Sequence, residues 1–446
     1  MSFQIIKLSA GADPVAVLKA LGVEPGVFFL DSSDSSGWSY IGVRPARVWR
    51  GRTLAAWDRF KFEARALISS SQPGAPVPFP AGIMGAVSYD FGLLLEGVGS
   101  RHREEVPGAP LFSFGYYDAV LAFSPGNETL FLCGRQTAAG WIKLNEAVKR
   151  AAGAFGEISG AIKGFSNDKV FAGSDFDPDE YCEMVRRVLE LICAGEIYEV
   201  NGSRRFTCAV DGKKTSALDI YLRLRRIAPA PYGIFYSDRL VSIAGSSPEL
   251  FLELSRGKVL TRPMKGTRPR GNSPREDEQF RYELEQSAKE KAELLMVTDL
   301  LRNDLGKVCA QGSVQVSELR AIEAYKNVFQ AVSAVEGSLK EGADAFDLLE
   351  AAFPGGSVTG CPKHRAVQVI DALERSRRGY YTGAAGYISC QGDMKLNILI
   401  RTIFLRNGQA EFSAGGGIVA DSDPQQEYEE TTLKAQALIR ALTGTP

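Results

Sequence analysis

Residues 380–417 read YYTGAAGYISCQGDMKLNILIRTIFLRNGQAEFSAGGG, and this stretch decides the fold class. Its apolar runs carry the aromatic and β-branched residues that favour sheet. Two turn-forming pairs, Gln391-Gly392 and Asn407-Gly408, separate the runs, and such pairs are typical of tight hairpins. The pattern therefore predicts a meander of antiparallel strands.

The sequence around this meander adds helices and further strands. Apolar positions at helical spacing predict helices over 178–200, 287–308 and 424–442. From the start to about residue 155 the sequence is mostly strand and turn, with a hairpin around Pro125-Gly126-Asn127 and one helix after it. We therefore predict an α+β protein with an antiparallel-sheet-rich, two-layered core and helices packed outside it.

One segment has the character of a connection between domains. Residues 161–176 show little periodicity and contain many small polar residues. We therefore predict an N-terminal domain over 1–160, a linker over 161–176 and a catalytic domain over 177–446.

The composition excludes several classes of protein. The 52 Lys and Arg residues balance 53 Asp and Glu residues, which argues against nucleic acid as a partner. The N-terminus MSFQIIKLSA lacks the features of a secretory signal, and no apolar run reaches membrane-spanning length. We therefore expect a cytoplasmic protein with no membrane partner. Seven cysteines without a C-x-x-C pair indicate reduced thiols and argue against zinc.

The segment TRPMKGTRPRG, residues 261–271, places Lys265 among Arg262, Arg268 and Arg270. Neighbouring positive charges and burial both favour the uncharged amine, so this segment predicts a lysine with a lowered pKa and nucleophilic character. The alternative is a solvated basic turn, which is a common setting for lysine in a Pro/Gly-rich segment.

Two helices each carry a pair of glutamates three residues apart. Glu290 and Glu293 share one face of the first helix, and Glu427 and Glu430 share one face of the second. Four carboxylates are suitable ligands for Mg²⁺, which prefers oxygen. The alternative is that these glutamates form an ordinary solvated face.

Further residues suggest binding of an anion. A loop of small residues in AAFPGGSVTGCPKHRA gives way to a helical pattern at Pro362, and such a junction presents backbone N–H groups. Gly416 and Gly417 in SAGGG permit close approach of backbone to a ligand, and Arg401 interrupts a strand pattern. Together with Lys265, these features suggest a small substrate with more than one carboxylate and a divalent metal.

Several long motifs carry a family resemblance: TRPMKGTRPRG, ELLMVTDLLRNDLGKVC, AAFPGGSVTGCPKHRA, AAGYIS, ILIRT and SAGGGIVADSDPQQEYEETTLKA. They resemble the chorismate-binding enzymes, specifically the synthase subunits that make anthranilate or 4-amino-4-deoxychorismate. The resemblance is strong over about 175–440, and PFPAGIMGAVSYDFG resembles the N-terminal domain of the same subunits. It implies a fold similar to that of anthranilate synthase component I.

The resemblance also implies roles for individual residues. The position of Lys265 is typically lysine in the aminodeoxychorismate synthases, where it attacks C2 of chorismate, and alanine in the anthranilate synthases. Glu249 matches the acid that helps the C4 hydroxyl depart. The four glutamates match a Mg²⁺ site. The residues that match positions holding the substrate carboxylates are Thr267, Ser357, Tyr381, Arg401, Gly416, Gly417 and Lys434.

Two residues depart from the family pattern. Gln330 replaces a histidine associated with pyruvate loss, which weakens an anthranilate assignment. Glu199 stands where relatives often have glutamine and where isochorismate synthases have a lysine base, so hydroxylation of chorismate is not expected and the role of Glu199 stays open.

The resemblance leaves three functional alternatives and several partners. The leading hypothesis is amination of chorismate at C4. Synthesis of anthranilate and a non-catalytic role in binding chorismate or docking a glutaminase are the others. We expect Mg²⁺ as cofactor and ammonia from a separate glutamine amidotransferase subunit. Tryptophan occupies a pocket near segments like FFLDSS and APYG in relatives, and whether it does so here is open.

Overall fold

The computed structural model describes residues 3–8, 13–68, 76–102, 109–153, 173–212, 214–325 and 328–444. The strands are β1 Phe3–Leu8, β2 Val27–Asp31, β3 Ser39–Gly42, β4 Arg47–Gly51, β5 Gly82–Val87, β6 Phe112–Tyr117, β7 Ala119–Phe123, β8 Leu130–Arg135, β9 Gly173–Ser174, β10 Glu199–Ala209, β11 Tyr232–Ser237, β12 Ser242–Ser247, β13 Leu250–Ser255, β14 Lys258–Arg262, β15 Met264–Pro269, β16 Gln315–Ala324, β17 Val328–Ser338, β18 Gly360–Cys361, β19 Ala384–Ser389, β20 Met394–Ile398, β21 Thr402–Arg406 and β22 Gln409–Ile418. The helices are α1 Pro14–Leu21, α2 Leu54–Ile68, α3 Tyr89–Leu95, α4 Ala139–Gly153, α5 Pro178–Cys193, α6 Ala217–Ile227, α7 Pro274–Gln286, α8 Ala288–Gly306, α9 Ala345–Ala352, α10 Lys363–Leu373 and α11 Pro424–Thr443.

The strands form two large sheets. The first has the order β1-β8-β7-β3-β2-β11-β12-β21-β22-β10-β18, with β9 beside β10. The second has the order β15-β17-β14-β13-β20-β19-β5-β6-β4, with β16 beside β17. The pairs that build them are antiparallel, as in β10 with β22 and β5 with β19. The predicted α+β class with a two-layered, antiparallel core is therefore confirmed.

Three groups of buried side chains hold the layers together. The first lies between the first sheet and α1, α4, α6 and α11, and includes Leu144 and Leu438. The second lies between the second sheet and α2, α8 and α9, and centres on Trp57 and Phe60. The third, with Phe28 and Tyr387, fills the space between the two sheets. Helices thus cover the outer face of each sheet, because the sheets bury apolar side chains on both of their faces.

Both sheets combine strands from the two ends of the chain. In the first sheet β2 pairs with β11, and in the second β5 pairs with β19. Of the predicted linker 161–176, residues 161–172 lie outside the described part of the chain, and Gly173–Ser174 pair with β10. The division into domains stays a prediction.

The predicted meander is wrong in one respect. Its two hairpins exist, β19 with β20 and β21 with β22, and the turn residues Gly392 and Asn407 adopt positive φ. The hairpins belong to different sheets, however, because the chain crosses from one sheet to the other between β20 and β21. Arg401 lies in this crossing with φ 50°, and not inside a strand as predicted.

The predicted helices agree with the structure apart from their ends. Helix α5 ends at Cys193, and the residues after it lead into β10, which begins at Glu199. Among the helices that the structure describes, none is long and apolar enough to cross a membrane.

Candidate active site

The candidate active site lies where β10 and β22 of the first sheet face β15 of the second. Asn201 of β10 pairs with Gly417 of β22, so the glycines of SAGGG sit beside the start of β10. Helix α8 contacts β15 and helix α11 packs on β22. The side chains of Ser287 and Asp423 cap these helices by accepting N–H bonds from their first turns. The caps fix the first turn of each helix, which contains Glu290 in α8 and Glu427 in α11.

Lys265 is at the centre of this region. Its Nζ donates a hydrogen bond of 2.5 Å to Glu199 Oε1 and lies 3.8 Å from Glu293 Oε2. The lysine side chain is 9% exposed and belongs to strand β15. The alternative interpretation of a solvated basic turn is therefore wrong.

Two glycines leave the space that these groups occupy. A Cβ at Gly417 would lie 2.7 Å from Lys265 Nζ, 2.8 Å from Glu199 Oε1 and 3.2 Å from Glu293 Oε2. A Cβ at Gly416 would lie 3.0 Å from Glu427 Oε2 and 3.3 Å from Glu430 Oε1. Neighbouring residues of a strand face opposite sides, so the lysine cluster and the α11 glutamates approach this backbone from two sides. Any larger side chain at either position would displace them.

The predicted lowering of the Lys265 pKa is wrong. Burial alone would lower this pKa, but the negative charges of Glu199 and Glu293 outweigh burial and raise it. The three arginines do not act on the amine, because each pairs with a carboxylate elsewhere: Arg262 with Glu318 and Glu323, Arg268 with Glu290, and Arg270 with Asp277. Lys265 is therefore held as an ammonium ion.

Glu249 lies in the short link between β12 and β13 and is 4% exposed. Its Oε1 accepts a hydrogen bond of 2.5 Å from Ser357 Oγ. Burial raises the pKa of Glu249 to about 7, although the Ser357 bond and the charge of Lys265 oppose the rise. A carboxyl that still holds a proton near neutral pH is suited to general-acid chemistry.

The four glutamates of the predicted metal site have cationic neighbours. Glu290 pairs with Arg268 at 2.8 Å, Glu427 with Lys289 at 2.7 Å and Glu430 with Lys434 at 2.6 Å. Among the described residues, no three potential metal ligands are arranged closely enough to hold a metal ion as they stand. Glu293 and Glu427 are nonetheless only 6% and 1% exposed. These two glutamates therefore do not belong to an ordinary solvated helix face.

Unsatisfied polar atoms mark the same region. Glu199 Oε2, Asn201 Nδ2 and Glu427 Oε2 are buried and have no hydrogen-bond partner. Buried polar groups are normally paired, so these atoms are available to a ligand, a water or an ion. Glu427 Oε2 is also the type of oxygen that a hard cation prefers, which makes the donor set suitable for Mg²⁺.

Arg401 supplies an unpaired cation. No hydrogen bond or ion pair involves its guanidinium among the residues that the structure describes. Burial lowers the pKa of Arg401, and no carboxylate opposes that effect. A half-buried guanidinium without a partner favours binding of an anion.

The remaining predicted substrate residues differ in their surroundings. Tyr381 is buried beside Asn201 and Ser203, and burial raises the pKa of its hydroxyl to about 12. Lys434 Nζ donates to the Gly415 carbonyl at 2.8 Å, which places it next to the glycines. Thr267 is exposed. The Thr267 side chain forms no hydrogen bond with Lys265, Glu199 or Glu293.

Two residues of this region were missed in the sequence. Lys289 binds Glu427 and lies 4.0 Å from Glu293 Oε1, so it bridges α8 and α11. Its spacing of four residues before Glu293 was a visible signal. Nothing in the sequence marked Asn201 as a functional residue, because polar residues are common on the solvated face of a strand.

The family model for the chorismate binding enzyme matches residues 26–440, nearly the whole chain. The chain belongs to the chorismate-binding enzymes. Among members of this family, it is 34% identical to anthranilate synthase component 1 1 of Haloarcula marismortui, over 96% of this chain and 90% of that protein. It is 36% identical to aminodeoxychorismate synthase component 1 of Bacillus subtilis, over 93% of this chain and 91% of that protein.

A solved structure of the family supports the fold. Anthranilate synthase component I from Streptococcus pneumoniae superposes with a TM-score of 0.76 at 30% sequence identity, covering 91% of this chain and 92% of that one. The predicted resemblance of the fold to anthranilate synthase component I is confirmed.

The segments linked to tryptophan in relatives of this chorismate-binding enzyme lie side by side. Strand β2 pairs with β11, and Ser33 Oγ both donates to the Ala230 carbonyl and accepts from the Ala230 N–H. Whether tryptophan binds there stays open.

Proposed function

We propose that this chain aminates chorismate at C4 to give 4-amino-4-deoxychorismate, through a covalent intermediate on Lys265. The observation that carries the proposal is the buried Lys265 beside Glu199 and Glu293. Alanine is typical at this position in the anthranilate synthases, and an alanine could not form a bond to the ring. The several relatives named aminodeoxychorismate synthase component 1 support the same activity.

The proposed reaction begins with loss of a proton from Lys265. Glu199, at 2.5 Å, is placed to accept this proton. The free amine then bonds to C2, the ring double bonds shift, and the C4–O bond breaks. The departing hydroxyl takes a proton from Glu249 and leaves as water, which suits a carboxyl whose pKa is near 7.

Ammonia completes the exchange. It bonds to C4, the double bonds shift back, and the electron pair of the C2–N bond returns to Lys265. The Glu249 carboxylate takes the extra proton from the new C4 ammonium group. Lys265 ends as a free amine, and Glu199 returns its proton. The sum is chorismate plus ammonia giving aminodeoxychorismate plus water.

Substrate binding relies on cations around the ring carboxylates. Arg401 supplies a half-buried guanidinium without a partner among the described residues, and Lys434 lies next to the glycines. Glu290, Glu293, Glu427 and Glu430 would hold Mg²⁺, for which the unpartnered Glu427 Oε2 provides a ready ligand. When bound, Mg²⁺ would neutralise the ring carboxylate.

Synthesis of anthranilate is the second candidate, because several relatives carry that name. Gln330 argues against it. This residue is 4% exposed and pairs with Thr267 across β15 and β17. A glutamine there cannot take the acid–base role available to the histidine that many relatives have.

A product assay separates the candidates. The purified chain is incubated with chorismate, Mg²⁺ and an ammonium salt, and the products are resolved by chromatography. We expect aminodeoxychorismate, the precursor of 4-aminobenzoate and folate. Anthranilate as the main product would contradict the proposal, and absence of any product would favour a non-catalytic role. Glutamine should replace the ammonium salt only after a glutaminase subunit is added.

A further inference from the structure

A cavity separate from the Lys265 site lies between the ends of the two sheets. Its volume is about 280 Å³, close to the size of small-ligand pockets. Neither Lys265, Glu249 nor Arg401 lines it. Its walls come from the turn before β22, the turn between β11 and β12, and the segment between α10 and β19.

The cavity has an excess of positive charge. Six arginines line it, against the three acidic residues Asp90, Asp238 and Glu411. Asp238 is bound to Arg50 and Arg378 is bound to Glu374, and neither Arg50 nor Glu374 lines the cavity. Without Asp238 and Arg378, five arginines still face two carboxyl groups. Burial raises the pKa of Asp90 to about 7, so this carboxyl is only partly ionised at neutral pH. The field in the cavity therefore favours an anion.

Two of these arginines have unused donors. Among the described residues, the Arg406 guanidinium forms a hydrogen bond or ion pair only with Glu411, at the long distance of 3.5 Å. Arg377 donates through Nε to the His102 carbonyl at 3.1 Å, which leaves its two terminal nitrogens available. Planar, forked donors of this kind match a carboxylate.

The rest of the wall is apolar or lacks a partner. Leu111, Phe404 and Phe412 contribute an apolar surface, and the Tyr380 ring stacks on Phe404 at 6.1 Å. Ser88 is one of the lining residues and is 2% exposed, and its hydroxyl has no hydrogen-bond partner. A hydroxyl without a partner beside a cavity can bond to a ligand oxygen after a small shift of the side chain.

We propose that this cavity is a second binding site, which takes a small carboxylate with an aromatic or alicyclic ring. Arg406 and Arg377 bind the carboxylate, the apolar wall covers the ring, and the Ser88 hydroxyl bonds to a polar atom. Tyr381 also lines the cavity, and Ser413 lies four residues from Gly417 on β22, about 13 Å away. The two sites are therefore neighbours on one strand.

Benzoate is the probe for this proposal, with binding measured by titration calorimetry. The substitution Arg401→Gln removes the guanidinium that would bind benzoate at the Lys265 site. This variant should still bind one benzoate per chain. The double variant Arg401→Gln/Arg406→Glu should lose at least about tenfold in affinity, because a charge-assisted hydrogen bond is removed and the charge reversed. The matched control Arg401→Gln/Arg440→Glu reverses the charge of an exposed arginine of α11 and should bind as Arg401→Gln does.

Two results would overturn the proposal. One is equal benzoate affinity in the Arg406→Glu double variant and its control, provided that both unfold at the same temperature as Arg401→Gln. The other is saturation of the site by inorganic phosphate at lower concentration than by benzoate, because phosphate lacks the ring. The measurement needs no turnover, so its failure is independent of the amination chemistry.

Discussion

The buried carboxyl of Glu249 should make the stability of the protein depend on pH. The pKa of this group is 4.5 without burial and about 7 in the folded chain. A rise of this size corresponds to about 3 kcal/mol. Below pH 4.5 the carboxyl is protonated in both states, and it adds no pH-dependent cost. As pH rises to 7 the unfolded chain loses the proton first, so the folded state loses stability, and above pH 7 the full cost remains.

Glu249→Gln removes this cost and keeps an acceptor for the Ser357 hydroxyl. The variant should gain stability relative to the wild type as pH rises, by up to about 3 kcal/mol at pH 8 and by almost nothing at pH 4. Urea unfolding of both proteins across this range measures the difference. The exposed Glu341, changed to glutamine, is the control and should show no such trend. A Glu249→Gln difference that stays constant from pH 4 to 8 would refute a raised pKa. The variant should also be nearly inactive, because it cannot protonate the departing hydroxyl.

Three other predictions concern the lysine and the glutamates. Incubation with chorismate and Mg²⁺ without ammonia should add mass to the Lys265 peptide. The variant Lys265→Ala should form no adduct and should make aminodeoxychorismate several orders of magnitude more slowly. Near-normal synthesis by this variant would exclude the covalent role. Glu430→Gln should sharply raise the Mg²⁺ concentration needed for half-maximal activity, and an unchanged requirement would remove Glu430 from the metal site. Glu199→Gln should slow adduct formation by about a hundredfold. The control Glu196→Gln, at an exposed position in the link between α5 and β10, should leave the rate unchanged.

The overall fold was largely predictable because its signals are local. Hairpin turns at Gly392 and Asn407, and apolar periodicity in α5, α8 and α11, depend on neighbouring residues alone. Which sheet each hairpin joins depends on contacts between distant parts of the chain. Arg401 interrupts the strand pattern over 394–406, and the chain passes from one sheet to the other at this point. Spacing carries no information about such a crossing.

Electrostatics around Lys265 show the same limit. The sequence places three arginines within five residues of the lysine, and proximity along the chain predicted a lowered pKa. Only Arg268 shares strand β15 with Lys265, because Arg262 ends β14 and Arg270 follows β15. Each of the three arginines pairs with its own carboxylate. The charges that act on Lys265 come from Glu199 and Glu293, which are 66 and 28 residues away in the sequence. Only the folded chain brings them to the amine.

The family resemblance gave no role for Glu199, whereas the structure shows which groups surround its carboxylate. A residue that departs from the family pattern has no counterpart from which a role can be taken. Here its carboxylate is buried, binds Lys265 at 2.5 Å and has one oxygen without a partner. Because the surrounding charges favour the ammonium form of Lys265, a nucleophilic amine exists only after a proton has moved to a nearby base. A glutamine at 199 could hold the lysine but could not accept that proton. In the proposed reaction, a carboxylate in place of an amide at position 199 therefore supplies the base that frees the amine of Lys265.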